Sequence, residues 1–205
     1  MKKVFFSIVL SLIALPSFAQ LKYIEGKDYQ LLKTPAEEVK NPKVVDIFWF
    51  GCGHCEAIRK PVADWVKNKK PANVEFELMP AVTGGSDRWD RPAQAFYTMQ
   101  VLGLDLFDNY FDTIFKNRSM GLLASDKEVK KYFLKNGVSE DKFDKAWNGF
   151  EVKQKLQRAN KMFVATNADG VPLFIVNGKF VVTPQGSSDR EMKITFDIIE
   201  FLLKQ

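Results

Sequence analysis

The chain has 205 residues, 46% of them hydrophobic, and 30 Lys and Arg against 25 Asp and Glu give it a formal net charge of +5. That length suits one globular unit with a sizeable core, and the charge is too mild, with no basic patch interleaved with aromatics, for a nucleic-acid binder. Two cysteines and one histidine are too few for a structural zinc site or a disulfide scaffold.

Lys2 and Lys3 precede an apolar run from Val4 to Leu15, Pro16 breaks it, and Ser17-Phe18-Ala19 supplies small residues where a signal peptidase reads. The run is shorter than the roughly 20 residues a membrane span needs. Residues 1–19 are therefore read as a cleaved secretory signal, which sends the mature chain to an oxidising compartment. Losing Lys2 and Lys3, and no acid, lowers the net charge from +5 to +3.

Tyr29 to Leu32 has strand character, and Val44 to Phe50 ("VVDIFWF") reads as a buried strand ended by Gly51. A helix is expected from about Cys52 to Lys69, with Pro61 inside it and the cations of "VKNKK" opposing the dipole at its end. "VEFELM" (74–79) alternates as a second strand, so strand, helix and strand form a βαβ unit. From about Arg88 to Asn167 the pattern is helical throughout. Leu104, Phe107, Tyr110, Phe111, Ile114 and Phe115 share one apolar face. Ser125 with Glu128 predicts a capping box, Gly137 a helix end, and a longer helix covers roughly Phe150 to Thr166. Strands return at Leu173 to Val176 and Lys179 to Val182, with Asn177-Gly178 between them as a hairpin signal. A last helix, about Ser188 to Leu203, is expected to bury Ile194, Ile198, Phe201 and Leu202. The fold class is α/β.

Both cysteines, Cys52 and Cys55, fall at the start of the first helix, with the only histidine, His54, between them. A bridge between them closes so short a loop that it stabilises a fold little. At a helix start the unpaired N–H groups and the dipole favour a thiolate, and a cationic His54 would add to this. Cys52 is therefore the expected nucleophile and Cys55, one turn deeper, the resolving thiol of a reversible exchange. Haem attachment would need a histidine after the second cysteine, where the chain has Glu56. Asp46, an acid inside an apolar strand, is costly to bury. It either serves the site or points to a solvated edge.

"FWFGCGHC" behind a buried strand, the helical stretch, "GVPLFIVNGKF" near the end and "AQLKYIEGKDYQLL" near the start together resemble the DsbA family over the whole mature chain. The resemblance implies a thioredoxin-like fold with an inserted all-α domain, with 20–84 and 168–205 forming the thioredoxin-like part and 85–167 the insertion. Pro172 after Val171 matches the family's cis-proline, which faces the disulfide and borders a groove for unfolded polypeptide. Asp46 falls where the family has a carboxylate, usually Glu, that helps move the second cysteine's proton. Gly53-His54 replaces the Pro-His of many members and matches the dipeptide of protein disulfide isomerases. Arg59 stands where members often carry an acid, and would favour a nearby thiolate. The implied function is a periplasmic oxidoreductase that donates its Cys52–Cys55 disulfide to newly exported polypeptides. A DsbB-type membrane quinone reductase would reoxidise it, and the resemblance implies a monomer with no metal and no cofactor beyond the disulfide. An isomerase or reductase on the same fold, or a polypeptide-binding chaperone with secondary redox activity, are the alternatives.

Overall fold

The computed structural model describes residues 22–205, so the expected signal segment lies outside the described residues. Strands β1 (Gln30–Leu31) and β2 (Lys43–Phe48) lead into helix α1 (Gly53–Asn68) and strand β3 (Glu75–Pro80). Five helices follow: α2 (Asp87–Val101), α3 (Phe107–Phe115), α4 (Asp126–Lys135), α5 (Glu140–Trp147) and α6 (Phe150–Ala165), with a 3₁₀ turn at Met120–Leu123. Strands β4 (Leu173–Val176) and β5 (Phe180–Val182) and helix α7 (Asp189–Leu202) complete the chain. The sheet runs β1-β5-β4-β2-β3, with β2 and β3 parallel and the remaining pairs antiparallel. A parallel pair needs a crossover, and α1 supplies it.

The sheet's two-residue period sorts its side chains between two cores. Val44, Phe174 and Val176 pack with Ile58, Val62 and Trp65 of α1 and with Met192, Phe196 and Ile199 of α7. A stacked Trp65–Phe196 pair, 5.0 Å between centroids, joins the two helices. Val45, Ile47, Leu173 and Ile175 point the other way and share a core with the helical stretch, including Phe96, Phe111, Phe133 and Met162. The strong amphipathic periodicity of α3 is explained by this packing: Tyr110, Phe111 and Ile114 are fully buried in that core.

Three expectations need correction. The strand ends at Phe48, not Phe50. Phe50 is buried in irregular chain against the rings of Phe107, Tyr110 and Phe111, so its apolarity reflects the helical core and not a strand. Ser125 accepts from the Glu128 N–H, but the box is complete only at α7, where Ser188 and Glu191 bond reciprocally. Ile194 is exposed, and α7 instead buries Met192, Thr195, Phe196 and Ile199 beside Ile198 and Leu202.

Candidate active site

Beyond β2 the chain turns through Trp49, Phe50 and Gly51, held by a 3.0 Å bond from the Cys52 N–H to the Trp49 carbonyl. Cys52 then takes the N-cap of α1. Its backbone is extended (φ −92°, ψ 115°), and its Sγ accepts the Cys55 N–H at 3.2 Å. The sulfur fills the role a Ser or Asp oxygen has at other helix starts, satisfying a donor that would lack a partner. Cys55 is 3% exposed, whereas Cys52 is half-exposed and His54 lies at the surface. Both thiols are free.

Across from Cys52 stands the loop before β4. The Cys52 thiol donates to the Val171 carbonyl at 3.4 Å, and the Val171-Pro172 bond is cis. Cys52, Cys55, Val171 and Pro172 thus converge although 119 positions separate Cys52 from Val171. A cleft of about 590 Å³ leads away from them, lined by His54, Gly170, Val171, Pro172, Thr183 and Pro184.

The two thiols are driven apart in acidity. The Cys52 thiol is lowered to about 6, first by the hydrogen bond from the Cys55 thiol. Partial burial opposes the shift, while the Cys55 and His54 N–H groups and the His54 charge support it. Burial pushes Cys55 far upward, and its bond to Cys52 and the field of Asp46 add to that. Near neutral pH one sulfur is a partly exposed thiolate and the other a buried thiol, the division of labour that exchange chemistry needs.

Asp46 does not lie at an edge. β2 is flanked by β3 and β4, with Leu78 and Phe174 opposite Asp46, and the residue is 5% exposed. Burial alone pushes its carboxyl up to about 7, and Oδ1 is a buried acceptor with no partner. Arg59 departs from expectation. It turns away from the cysteines to α3, meeting Asp108 and Asp112 at 2.6 Å each and stacking over Phe111, and it contributes nothing to the lowered Cys52. Two further features had no sequence signal that separated them from ordinary helix or loop residues. One is the Val171 carbonyl as partner of Cys52. The other is a Trp49–Trp89 stack, 4.7 Å between centroids, where Trp49 Nε1 donates to the Arg88 carbonyl at 3.1 Å. No group of residues suited to a metal ion occurs among the described residues.

A family model for the DSBA-like thioredoxin domain matches residues 44–192. The thiol:disulfide interchange protein DsbA of Pseudomonas aeruginosa is 33% identical over 185 residues, covering 87% of this chain and 85% of that one. The protein of the same name from Escherichia coli K12 is 27% identical over 197 residues, covering 95% and 92%. Among solved structures, Pseudomonas aeruginosa DsbA matches with a TM-score of 0.76 at 30% identity, over 89% of this chain and 93% of that one. Xylella fastidiosa DsbA matches with a TM-score of 0.77 at 27% identity, over 89% and 96%.

Proposed function

The chain belongs to the DSBA-like thioredoxin family, whose relatives are thiol:disulfide oxidoreductases, and we propose that Cys52 is its nucleophile, Cys55 its resolving thiol and Asp46 the proton carrier for Cys55. In the oxidised enzyme a thiolate of the substrate attacks Cys52 Sγ, the Cys52–Cys55 bond breaks, and Cys55 leaves with the electron pair and takes a proton from Asp46. A second substrate thiolate then attacks the substrate sulfur of the mixed disulfide, releasing Cys52 as a thiolate. The substrate has lost two electrons and gained a disulfide, and the enzyme holds them as a dithiol. A carboxyl near 7 can give and take a proton at neutral pH, which an ordinary carboxylate cannot.

The observation that carries this reading is the N-cap position of the Cys52 sulfur, 3.2 Å from the Cys55 N–H. A stabilised thiolate is a good leaving group, so it favours release of the reduced enzyme and makes the disulfide an oxidant. Substrates are reduced polypeptides newly exported to the periplasm, laid along the cleft beside Val171 and Pro172. Reoxidation falls to a DsbB-type membrane partner. Gly53-His54 keeps a disulfide isomerase as the second reading.

Equilibration with glutathione tests the oxidant reading against a reductant on the same fold. An oxidant holds a reduction potential well above that of the glutathione couple, whereas a reductant lies below it. Cys55→Ser should accumulate mixed disulfides with reduced polypeptides and Cys52→Ser should not, and the opposite pattern would reverse the two roles.

A further inference from the structure

Beside Cys55 a second cleft of about 520 Å³, to which the Val171 loop contributes no residue, opens between α1, β3, α2 and α3. Its walls are apolar: Phe48, Ile58, Val62, Val66, Phe76 and Leu78 are among its lining residues. Asp46 and Cys55 are its most deeply buried polar groups, while Ala63, Gln100 and Asp108 lie at the surface and mark its mouth. Cys52, Val171 and Pro172 do not line it, so it is separate from the cleft beside the nucleophile.

Four charged side chains line the cleft: Asp46, Arg59, Glu77 and Asp108. Three are already matched. Arg59 pairs with Asp108, and with Asp112 beyond the cleft, at 2.6 Å each. Glu77 pairs with Lys43 at 2.8 Å and with Arg158. Only Asp46 has no cation beside it among the described residues, and its Oδ1 accepts no hydrogen bond. A buried acceptor without a donor is costly, and a ligand's donor would satisfy it.

We propose that this cleft is a binding site for a small amphipathic cation, a primary ammonium carried on a flat apolar body, with the ammonium donating to Asp46 and the body lying among Val62, Val66, Phe76 and Leu78. The volume falls in the range of small-molecule sites, which combine apolar walls with a few polar groups that fix orientation. The charge argument selects the class. A carboxylate ligand would face Asp46 and Glu77, and a neutral one would form no ion pair with Asp46. The site is independent of the roles given to Cys52 and Cys55, because it is read by binding and not by turnover.

The test uses 2-naphthylmethylamine and its neutral analogue 2-naphthylmethanol, titrated at pH 7 into the mature protein and followed by backbone amide NMR. The amine should saturate with shifts centred on Asp46, Val66 and Leu78, and bind at least about tenfold more tightly than the alcohol, equivalent to about 1.4 kcal/mol. Asp46→Asn should abolish that preference. Ala63→Trp, at an exposed position that disturbs no core, should block both ligands while the melting temperature holds. Equal binding of amine and alcohol would overturn the proposal, as would a preference that survives Asp46→Asn or a site that ignores Ala63→Trp.

Discussion

Asp46 and Cys52 are shifted in opposite senses by different forces, and each shift is a statement about stability. Burial raises the Asp46 carboxyl to about 7. Its ionised form is therefore disfavoured in the fold, and the fold loses stability as pH rises from the unfolded value of about 3.9 through the folded value. Asp46→Asn removes that penalty. The variant should gain on the order of 4 kcal/mol above pH 7, with the gain shrinking toward zero near pH 4, read from denaturant melts across that range. A constant gain at every pH would show that packing, not ionisation, is responsible. Gly53 makes a second test. It is the first residue of α1, where proline is tolerated, and Cys52 before it already has the extended backbone a following proline demands. A Cβ at position 53 meets nothing within 4 Å. Gly53→Pro should fold normally and gain about 0.4–1 kcal/mol through a less flexible unfolded chain, measured by the same melts. The cysteine pair was legible because its chemistry is local. The burial of Asp46 was not, because an acid in an apolar run does not announce whether the strand is central. Arg59 was misjudged for a similar reason: its partners Asp108 and Asp112 lie 49 and 53 positions away.

Among the elements, the β4–β5 hairpin was the most readable, since Asn177 and Gly178 both adopt the positive φ that such a turn requires, 50° and 69°. The structure adds a reason for glycine that the turn alone does not give. A Cβ on Gly178 would overlap the Glu37 carbonyl oxygen, and the Gly178 carbonyl accepts the Ala36 N–H at 2.8 Å. Gly178→Ala should therefore cost more than a left-handed residue alone, about 2 kcal/mol or greater, with the loss seen as a lower denaturant midpoint at unchanged slope. A change below about 0.5 kcal/mol would mean that the Glu37 segment yields freely. Helix α7 shows where periodicity runs out. Ile194, Ile198 and Leu202 are spaced as a stripe, and so are Met192, Phe196 and Ile199. Ile198 and Leu202 of the first stripe are buried with the whole of the second, and only Ile194 is left outside; Trp65 stacking on Phe196 sets the helix in that rotation. Composition likewise could not end β2, because Trp49 and Phe50 stay apolar for the sake of the helical core that Phe50 enters.

For the molecule as a whole, the lowered Cys52 thiol links redox state to folding. Only the reduced form owns a thiolate. A depressed pKa gives stability that is full above the unfolded value, about 8.5, and lost as pH falls through the folded value of about 6. At pH 7 the thiolate would contribute at most about 1.4 kcal/mol, and roughly 1 kcal/mol once solvent screens the half-exposed sulfur. The disulfide also stabilises the oxidised form to some degree by closing its short loop, but that contribution does not vary with pH. The diagnostic quantity is therefore the pH slope of the difference between the two forms. Asp46 titrates in both and largely cancels, while the upward shift of Cys55 keeps it protonated throughout the window. Between pH 7 and pH 5 the reduced form should lose about 1 kcal/mol relative to the oxidised form, measured by denaturant melts of each. A difference that stays flat over those two pH units would remove the Cys52 thiolate as the source of oxidising power. In that case the weak cross-link, and not the helix start, would set the redox balance.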